Sequence, residues 1–508
     1  MLGRAVGAAL DGIDGIPVEV EADCGDGLPV FEMVGYLGAE VREAGTRVKV
    51  ALRNSHFRLP PSRITVSLSP ADLRKQGNYF DVPIAAAVLC AAGYLRAEAA
   101  EGFLLIGELA LDGTLRPVDG VLSLVGCALE RNIRRVIVPK ANEAEGAADS
   151  RVQVCGAADL AQVVAFLRCP EVIPWASSSE SDRRLENLPD FADVHGQTLL
   201  RRAAEIAAAG MHNVLFCGPP GSGKTMIARR IPSILPPPTR EEQIEISRIF
   251  SVAGLLPDGS GLLRERPFRA PHHTATAAAM TGGGMVPRPG EVSLANHGVL
   301  FLDELPEFRR EALEALRQPM EDGFVTISRV HAICRYPARF MLAAAMNPCP
   351  CGYFPDPQRC RCSREEVRRY QGRVSRPLLD RIDVSVRASG TDYEDISGDQ
   401  PGESSACIRA RVEEACARQK ARYKGTGILF NAQLGGGMLR QVCALGEREE
   451  KLMRELFRLH QYSARAYDKI LRVARTIADL DGAETIGERH LAEAAGLRLM
   501  DSGEEGLL

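Results

Sequence analysis

Apolar and polar positions in residues 1–168 alternate in short runs that predict a mixture of strands and helices. The segments Ile64–Ser69 and Val136–Val138 have the short apolar pattern of strands, and Val121–Asn132 has that of a helix. Pro83–Leu95 is rich in alanine and predicts a buried helix, with proline tolerated in its first turn. We therefore expect an α+β domain over residues 1–168.

The pattern changes three times after this region. Residues 169–190 are polar without an apolar period and predict a linker. Residues 191–390 alternate strands and helices, which predicts a parallel sheet covered by helices. Residues 391–508 begin with an acidic loop and continue as a small all-helical domain. Its predicted helices are Ser404–Tyr423, Gly446–Leu459, Ala464–Asp479 and Gly487–Met500.

Bulk composition narrows the class of protein. The chain has no apolar run of about 18 residues, so we expect no membrane span. Acidic residues interrupt the first 20 positions, so we expect no signal peptide and a cytoplasmic location. Most of the 14 cysteines are then reduced, and Cys90, Cys127, Cys217 and Cys443 have the apolar neighbours of core residues. A net charge of −4 means that DNA binding would need a local basic surface.

A glycine-rich segment follows the apolar strand Asn213–Cys217 and precedes a helix that opens at Met226. Its spacing, G-x-x-x-x-G-K-T, is typical of a loop whose backbone N–H groups surround phosphate oxygens. Lys224 is expected to reach the β- and γ-phosphates, and the Thr225 hydroxyl to bind Mg²⁺. The candidate phosphate-binding residues are Gly218, Pro219, Pro220, Gly221, Ser222, Gly223, Lys224 and Thr225.

A second motif, Gly298–Glu304, consists of a glycine, four apolar residues and two acids. Asp303 is expected to hold Mg²⁺ together with Thr225, and Glu304 to act as the general base that polarises the attacking water. An apolar strand ending in two acids is common alone. Paired with Lys224 about eighty residues upstream, it predicts ATP hydrolysis.

With both motifs in place, the chain resembles the AAA+ ATPases. The resemblance assigns an adenine contact to Val194–Gln197, which includes Gly196, and a water-orienting sensor to Asn347. It makes Arg381 the arginine finger for a neighbouring subunit, although an ion pair with the adjacent Asp380 or Asp383 is the alternative. Arg465 resembles the second sensor and would then contact the γ-phosphate.

Longer motifs identify the branch. They are Phe268–Thr274, Gly282–Ser293, Met320–Arg329 and Tyr336–Phe340. Together they resemble the magnesium-chelatase-related branch, and within it the ComM/YifB family. The resemblance implies a hexameric DNA motor with a pore-lining β-hairpin near Glu321–Arg339. It further implies helicase or branch-migration work on incoming DNA during natural transformation, with residues 391–508 as the helical lid.

The N-terminal region resembles a Lon-protease-like domain with a ribosomal-S5-like fold, through Ser69–Ile84 and Gly107–Gly113. Lon-type proteolysis requires a nucleophilic serine and a lysine. Gly77–Tyr79 stands where the serine is expected, and Val118–Val125, where the lysine is expected, contains none. We therefore predict no peptidase activity and a role in assembly or nucleic-acid contact.

Two C-x-C pairs lie in the segment 349–362. Cys349, Cys351, Cys360 and Cys362 could supply four thiolates to one Zn²⁺ ion. A proline- and arginine-rich loop offers four cysteines no core to fill, which favours the metal. Free thiols and transient disulfides are the alternatives.

Arginines are dense between residues 359 and 381. They are Arg359, Arg361, Arg364, Arg368, Arg369, Arg373, Arg376 and Arg381. Opposed only by Glu365, Glu366 and Asp380, they make the segment basic enough for phosphate backbones, and Tyr370 could stack on a base. A solvated helix face or subunit contacts would explain the same run of charge.

Three functions are compatible with these features. The leading hypothesis is a homo-hexameric ATPase that uses ATP and Mg²⁺ to translocate single-stranded or branched DNA. The second is an AAA+ motor for protein remodelling or metal chelation. The third is a scaffold whose ATP site only sets the oligomeric state, which intact Glu304, Asn347 and Arg381 argue against.

Overall fold

The computed structural model of the protein describes residues 2–176, 188–257, 259–284, 287–329, 332–388, 402–460 and 462–498. The predicted boundary at residue 390, the acidic segment up to residue 401, the middle of the predicted linker (177–187) and residues 499–508 lie outside these ranges. Among the helices described, none is long and apolar enough to cross a membrane.

The N-terminal part of the chain mixes strands and helices. Its strands are β1 (Leu2–Asp11), β2 (Asp14–Gly25), β3 (Phe31–Val34), β4 (Arg63–Ser69), β5 (Phe103–Leu105), β6 (Glu108–Leu109), β7 (Leu115–Arg116), β8 (Arg135–Pro139) and β9 (Gln153–Ala157). Its helices are α1 (Ala39–Asn54), α2 (Asp81–Ala91), α3 (Val121–Gly126), α4 (Glu143–Gly146) and α5 (Leu160–Arg168). Strands β4 and β8 confirm the two predicted strands. Helix α2 is buried along its whole length, as its apolar sequence predicts.

Seven of these strands form one mixed sheet in the order β3-β4-β2-β1-β5-β8-β9. Strands β1 and β2 form an antiparallel hairpin, and β1, β5, β8 and β9 are parallel to one another. Val18, Val20 and Ala22 of β2 are fully buried at every second position, because alternate side chains of a strand share one face. The α+β class expected here is confirmed.

The middle part of the chain contains the following strands and helices. They are α6 (Thr198–Gly210), β10 (Val214–Cys217), α7 (Lys224–Ile234), α8 (Arg240–Val252), β11 (Phe268–Arg269), α9 (Ala277–Thr281), β12 (Gly282–Gly283), β13 (Arg288–Pro289), α10 (Glu291–Leu294), β14 (Val299–Leu302), α11 (Arg310–Glu314), α12 (Arg317–Asp322), β15 (Phe324–Arg329), β16 (Ala332–Pro337), β17 (Met341–Met346), α13 (Arg364–Gln371), α14 (Arg376–Leu379) and β18 (Val384–Arg387). Strands β15 and β16 pair with each other in the segment where the hairpin is predicted.

The central sheet has the strand order β11-β14-β17-β10-β18, and every pair in it is parallel. The predicted parallel sheet is therefore confirmed. Cys217 at the end of β10 pairs in register with Met346 at the end of β17, and Leu302 at the end of β14 pairs with Ala344 of the same strand. Since these three strands are neighbours, the residues that follow them meet at one edge of the sheet.

The C-terminal part is helical. Its helices are α15 (Ser405–Arg422), α16 (Gly436–Val442), α17 (Glu447–His460), α18 (Ala464–Leu480) and α19 (Glu488–Gly496). The side chains of Ser404 and Ser463 accept hydrogen bonds from backbone N–H groups in the first turns of α15 and α18, which fixes where these helices begin. Four predicted helices are confirmed. Helix α16 escaped prediction because it opens with two glycines, which disfavour helix.

The chain divides into two compact units. The first comprises Met1–Arg183, Arg240–Arg264 and Ser328–Tyr336, and the second comprises Arg184–Thr239, Glu265–Ile327 and Pro337–Leu508. In the second unit, the central sheet and the C-terminal helices share one apolar core. Helix α8 groups with the first unit, although it lies within the predicted 191–390 region. The domain limits given above remain predictions.

Candidate functional site

The phosphate-binding loop occupies residues 218–223, between β10 and α7. Gly221 and Gly223 have φ angles of +77° and +79°, in the left-handed region that glycine adopts at little cost. A Cβ atom at Gly221 would meet nothing within 4 Å. The Ser222 hydroxyl donates to the Pro219 carbonyl at 2.8 Å, which closes the turn. The loop therefore keeps an open face above the N-terminus of α7, where backbone N–H groups attract anions.

Lys224 lies at the first position of α7 and reaches back beneath the loop. Its Nζ donates to the carbonyls of Gly218 and Pro219, both at 2.8 Å, and to Asn347 Oδ1 at 3.3 Å. Burial lowers the pKa of Lys224 from its ordinary value. The structure thus brings the predicted phosphate lysine and the predicted sensor asparagine into direct contact.

Thr225 and Asp303 form a hydroxyl–carboxylate pair. Thr225 Oγ1 donates to Asp303 Oδ2 at 2.8 Å, so that the residue after the lysine meets the residue after β14. Both side chains offer oxygen atoms, the ligands that Mg²⁺ prefers, and this donor set fits that ion.

Glu304 follows Asp303 in a left-handed conformation, with φ of +53°. Its backbone N–H donates to Asp303 Oδ1 at 3.0 Å, while its carboxylate is 61% exposed and free to meet water. His273 Nδ1 lies 3.7 Å from Glu304 Oε2. The sequence contains the motif Phe268–Thr274 that carries this histidine, but no feature of it indicates the contact. An imidazole at this distance can orient the carboxylate of the predicted base.

The predicted adenine loop lies against the phosphate-binding loop. Gly196 and Gln197 both have positive φ angles, of +62° and +51°. A Cβ atom built on Gly223 would lie 3.8 Å from Gln197 Cγ. Val194 is fully buried and anchors the segment in the core. The segment Val194–Gln197 is therefore placed where a nucleotide held by the phosphate-binding loop could extend.

Arg381 is engaged in an ion pair, but with neither predicted acid. Its guanidinium pairs with Glu321 and also donates to the Pro377 carbonyl at 2.5 Å. The adjacent acids have other partners. Asp380 pairs with Arg465 at 3.2 Å, and buried Asp383 lies 3.4 Å from His212 Nδ1. Arg381 must therefore leave Glu321 before it can contact a phosphate.

Arg465 lies beside Arg381. The two side chains line one cavity of about 690 Å³ together with Lys469 and Arg472. Among its described lining residues there is none of Gly218–Thr225. The Arg465 guanidinium pairs with Asp380 at 3.2 Å, so this side chain contacts the segment that carries Arg381.

The four clustered cysteines meet in space. Their sulfur atoms all lie within 4.8 Å of one another, and all four are free thiols. The other four cysteines considered above, Cys90, Cys127, Cys217 and Cys443, are buried and confirm the prediction of core residues.

Most of the basic segment lies on the surface. Seven of its arginines are exposed: Arg359, Arg361, Arg364, Arg368, Arg369, Arg373 and Arg376. Arg369 pairs with Glu365 at 3.2 Å, and Arg373 pairs with Glu307 at 2.9 Å. The prediction that Tyr370 stacks on a base is wrong. The ring is buried on the inner face of α13, and burial raises the pKa of Tyr370 to about 12.

A phosphate-binding loop follows β10, Asn347 follows the neighbouring strand β17, and Asp303 and Glu304 follow β14, which lies on the far side of β17. This arrangement defines a P-loop ATPase of the AAA+ kind. Family comparisons narrow the class. Residues 190–396 match the model of magnesium chelatase subunit ChlI, residues 20–142 match a second model for that subunit, and residues 402–498 match the model of its C-terminal region.

Whole-length relatives identify the family. The chain is 42% identical to Competence protein ComM of Haemophilus influenzae and 42% identical to the uncharacterized protein YifB of Escherichia coli, over 96% of each chain in both cases. It is 24% identical to the magnesium-chelatase 38 kDa subunit of Cereibacter sphaeroides, over 61% of this chain and 90% of that one. The protein belongs to the ComM/YifB family of magnesium-chelatase-like AAA+ proteins.

Proposed function

We propose that this protein is an ATP-hydrolysing ring motor that acts on single-stranded or branched DNA. The observation that carries the proposal is the division of the ATPase machinery. One edge of the sheet holds Lys224, Thr225, Asp303 and Asn347 together, while Arg381 and Arg465 share a separate cavity. A complete site then needs the arginines of another subunit.

Hydrolysis follows from the first group of residues. The loop N–H groups and Lys224 hold the β- and γ-phosphates, and Mg²⁺, when bound at Thr225 and Asp303, neutralises phosphate charge. Glu304 accepts the proton of the attacking water as that water bonds to the γ-phosphorus and the bond to the β-phosphate oxygen breaks. Asn347, 3.3 Å from Lys224 Nζ, orients the water.

The second group completes the site of a neighbour. Arg381 releases Glu321 and contacts the transferred phosphoryl group across the interface, and Arg465, next to it, contacts the same nucleotide. An arginine finger supplied in this way accelerates hydrolysis roughly 10³–10⁵-fold. A closed ring, which we take to be a homo-hexamer, gives each ATP site such a neighbour.

DNA is the proposed substrate because of the exposed arginines that follow Asn347. Arg364 and Arg368 lie on α13 with their side chains in solvent, and phosphate backbones bind such surfaces through charge. One relative is named a competence protein. We propose that this chain acts in the same process, and that it performs helicase or branch-migration work in the recombination of incoming DNA.

A second candidate is a motor for protein remodelling or metal chelation. The similarity to a magnesium-chelatase subunit favours it, because the match spans most of that subunit. The two candidates differ in their response to DNA.

Steady-state ATP hydrolysis without DNA, with single-stranded DNA and with forked DNA separates them. We expect DNA to raise the rate several-fold, added salt to abolish the increase, and Lys224→Ala to abolish hydrolysis. If the wild type hydrolyses ATP at a rate that no DNA changes, the DNA motor is rejected and the second candidate is favoured.

A matched pair of variants tests the arginine surface. Arg364→Ala with Arg368→Ala should weaken binding to single-stranded DNA and reduce the slope of log K against log salt by about 1.4, at about 0.7 for each phosphate contact. Arg454 and Arg458 are also exposed, on α17, and serve as the control. An equal loss of DNA affinity in both pairs of variants would mean that α13 is not the DNA-binding surface.

A further inference from the structure

A long irregular loop connects the sensor strand to the arginine-rich helix. Residues 347–363 contain no helix or strand, and most of their side chains are exposed or half-buried. A loop of this length without an apolar core of its own needs another source of order. Its four cysteines are gathered at one point, with Cys349 fully buried and the other three half-buried.

The sulfur positions match the geometry of one tetrahedral ion. Cys349 Sγ lies 3.3 Å from Cys351 Sγ and 3.8 Å from Cys360 Sγ, and the latter two sulfurs are 3.6 Å apart. Four ligands at the usual Zn–S distance of about 2.3 Å are separated from one another by about 3.8 Å. Cys362 Sγ lies within 4.8 Å of the other three. The space between the sulfurs suits a single ion.

The surroundings also suit a thiolate centre. Phe354 N–H points at Cys349 Sγ, with nitrogen and sulfur 3.4 Å apart, as backbone groups do around metal-bound sulfur. Four thiolates around Zn²⁺ carry a net charge of −2, and Arg359 and Arg361 alternate with the second cysteine pair along the chain. The Arg359 guanidinium lies 4.1 Å from the centre of the Tyr353 ring, so this arginine also folds back onto the loop.

We propose that Cys349, Cys351, Cys360 and Cys362 bind one structural Zn²⁺ ion that holds the loop against the ATP site. Binding converts the four thiols to thiolates and releases their protons to solvent. The ion has four protein ligands and no open position, so it orders the chain and takes no part in hydrolysis.

The loop contacts the ATP site on both sides of its first cysteine pair, Cys349 and Cys351. Gly352, beside Cys351, packs so closely on the phosphate-binding loop that an added Cβ would lie 2.4 Å from Pro220 Cδ. Asn347, two residues before Cys349, contacts Lys224. Gln371 Nε2, at the end of α13, donates to the Pro348 carbonyl at 2.9 Å and ties the arginine-rich helix to the same loop. Loss of the ion should therefore disturb nucleotide binding.

Metal analysis of the purified full-length protein tests the site itself. After expression in zinc-supplemented medium and dialysis against a weak chelator, we expect about one zinc per chain. At least half an equivalent supports the site, and less overturns it. Cobalt substitution provides a second readout, because cobalt bound by four thiolates absorbs strongly in visible light and cobalt in water does not. This test is independent of any DNA activity.

A pair of double variants tests the link to the ATP site, which rests on the proposed ATPase function. Cys351→Ser with Cys362→Ser should lose the zinc and weaken binding of a fluorescent ATP analogue at least tenfold. Cys169→Ser with Cys407→Ser replaces two exposed thiols outside the cluster and should retain both properties. Loss of zinc with unchanged nucleotide affinity would overturn the link. If the first variant fails to fold, stepwise removal of zinc from the wild type gives the same comparison.

Discussion

Substitution of Gly352 by alanine tests the contact between the cysteine loop and the phosphate-binding loop. Gly352 has a φ angle of +88°, so alanine costs roughly 1–2 kcal/mol in backbone strain. The new Cβ would also lie 2.4 Å from Pro220 Cδ, whereas ordinary contacts begin at 3.4 Å. The two loops must then separate by about 1 Å. A shift of that size is enough to break one hydrogen bond from a loop N–H to a phosphate oxygen.

The expected loss follows from the strength of that bond. A hydrogen bond to a charged group contributes about 1.5–3 kcal/mol, so ATP affinity should fall roughly 10- to 150-fold. Gly425→Ala is the control, because Gly425 has a φ angle of +81° and a Cβ there would meet nothing within 4 Å. Both variants should lower the melting temperature through backbone strain, and Gly352→Ala should lower it further because of its added contact with Pro220.

Equilibrium binding of a fluorescent ATP analogue, with thermal denaturation measured in parallel, makes the comparison. If Gly352→Ala binds ATP as tightly as Gly425→Ala, the cysteine loop does not position the phosphate-binding loop, and the reasoning from their contact is refuted.

Three further predictions concern single side chains. Glu304→Gln should retain ATP binding but lower turnover about 10²–10⁴-fold, because the amide cannot accept the proton of the attacking water. Rapid-quench kinetics measure this loss, and unchanged turnover would exclude Glu304 as the base. Arg381→Ala should lower turnover by about 10³-fold or more, whereas Glu321→Gln, which only frees Arg381, should retain it; equal losses would assign Arg381 a structural role. Asp479 is fully buried between Arg422 and Arg475, so Asp479→Ala should destabilise the protein by about 3–5 kcal/mol in denaturant titrations; a loss below about 1 kcal/mol would contradict the importance of this charge cluster.

Much of the candidate ATP site could be predicted from the sequence because its residues follow strand ends. Lys224, Asp303 and Asn347 each come shortly after a short apolar run, and parallel neighbouring strands bring their carboxyl ends to one edge. Local spacing and one topological rule were therefore sufficient for Lys224 and Asp303, whereas Asn347 was assigned through the resemblance to the AAA+ ATPases. The same holds for the four cysteines, which lie within one loop and have little freedom to separate.

The parts that escaped prediction depend on packing between distant segments. Nothing in the local sequence of Arg381 points to Glu321, which lies 60 residues away along the chain. The pairing of Arg465 with Asp380 depends on how α18 packs on the central sheet. Tyr370 is buried because α13 turns this face inward, and a dense run of arginines hides that amphipathic pattern.

The central claim is that ATP hydrolysis drives movement on DNA, and strand displacement tests it most directly. A forked DNA with one labelled strand is incubated with the protein and ATP, with Glu304→Gln as the matched control that binds ATP without turning it over. We predict that the wild type releases the labelled strand and that the variant does not. If the wild type hydrolyses ATP at a DNA-stimulated rate but releases no strand from forked or branched DNA, the protein is not a DNA motor of the proposed kind.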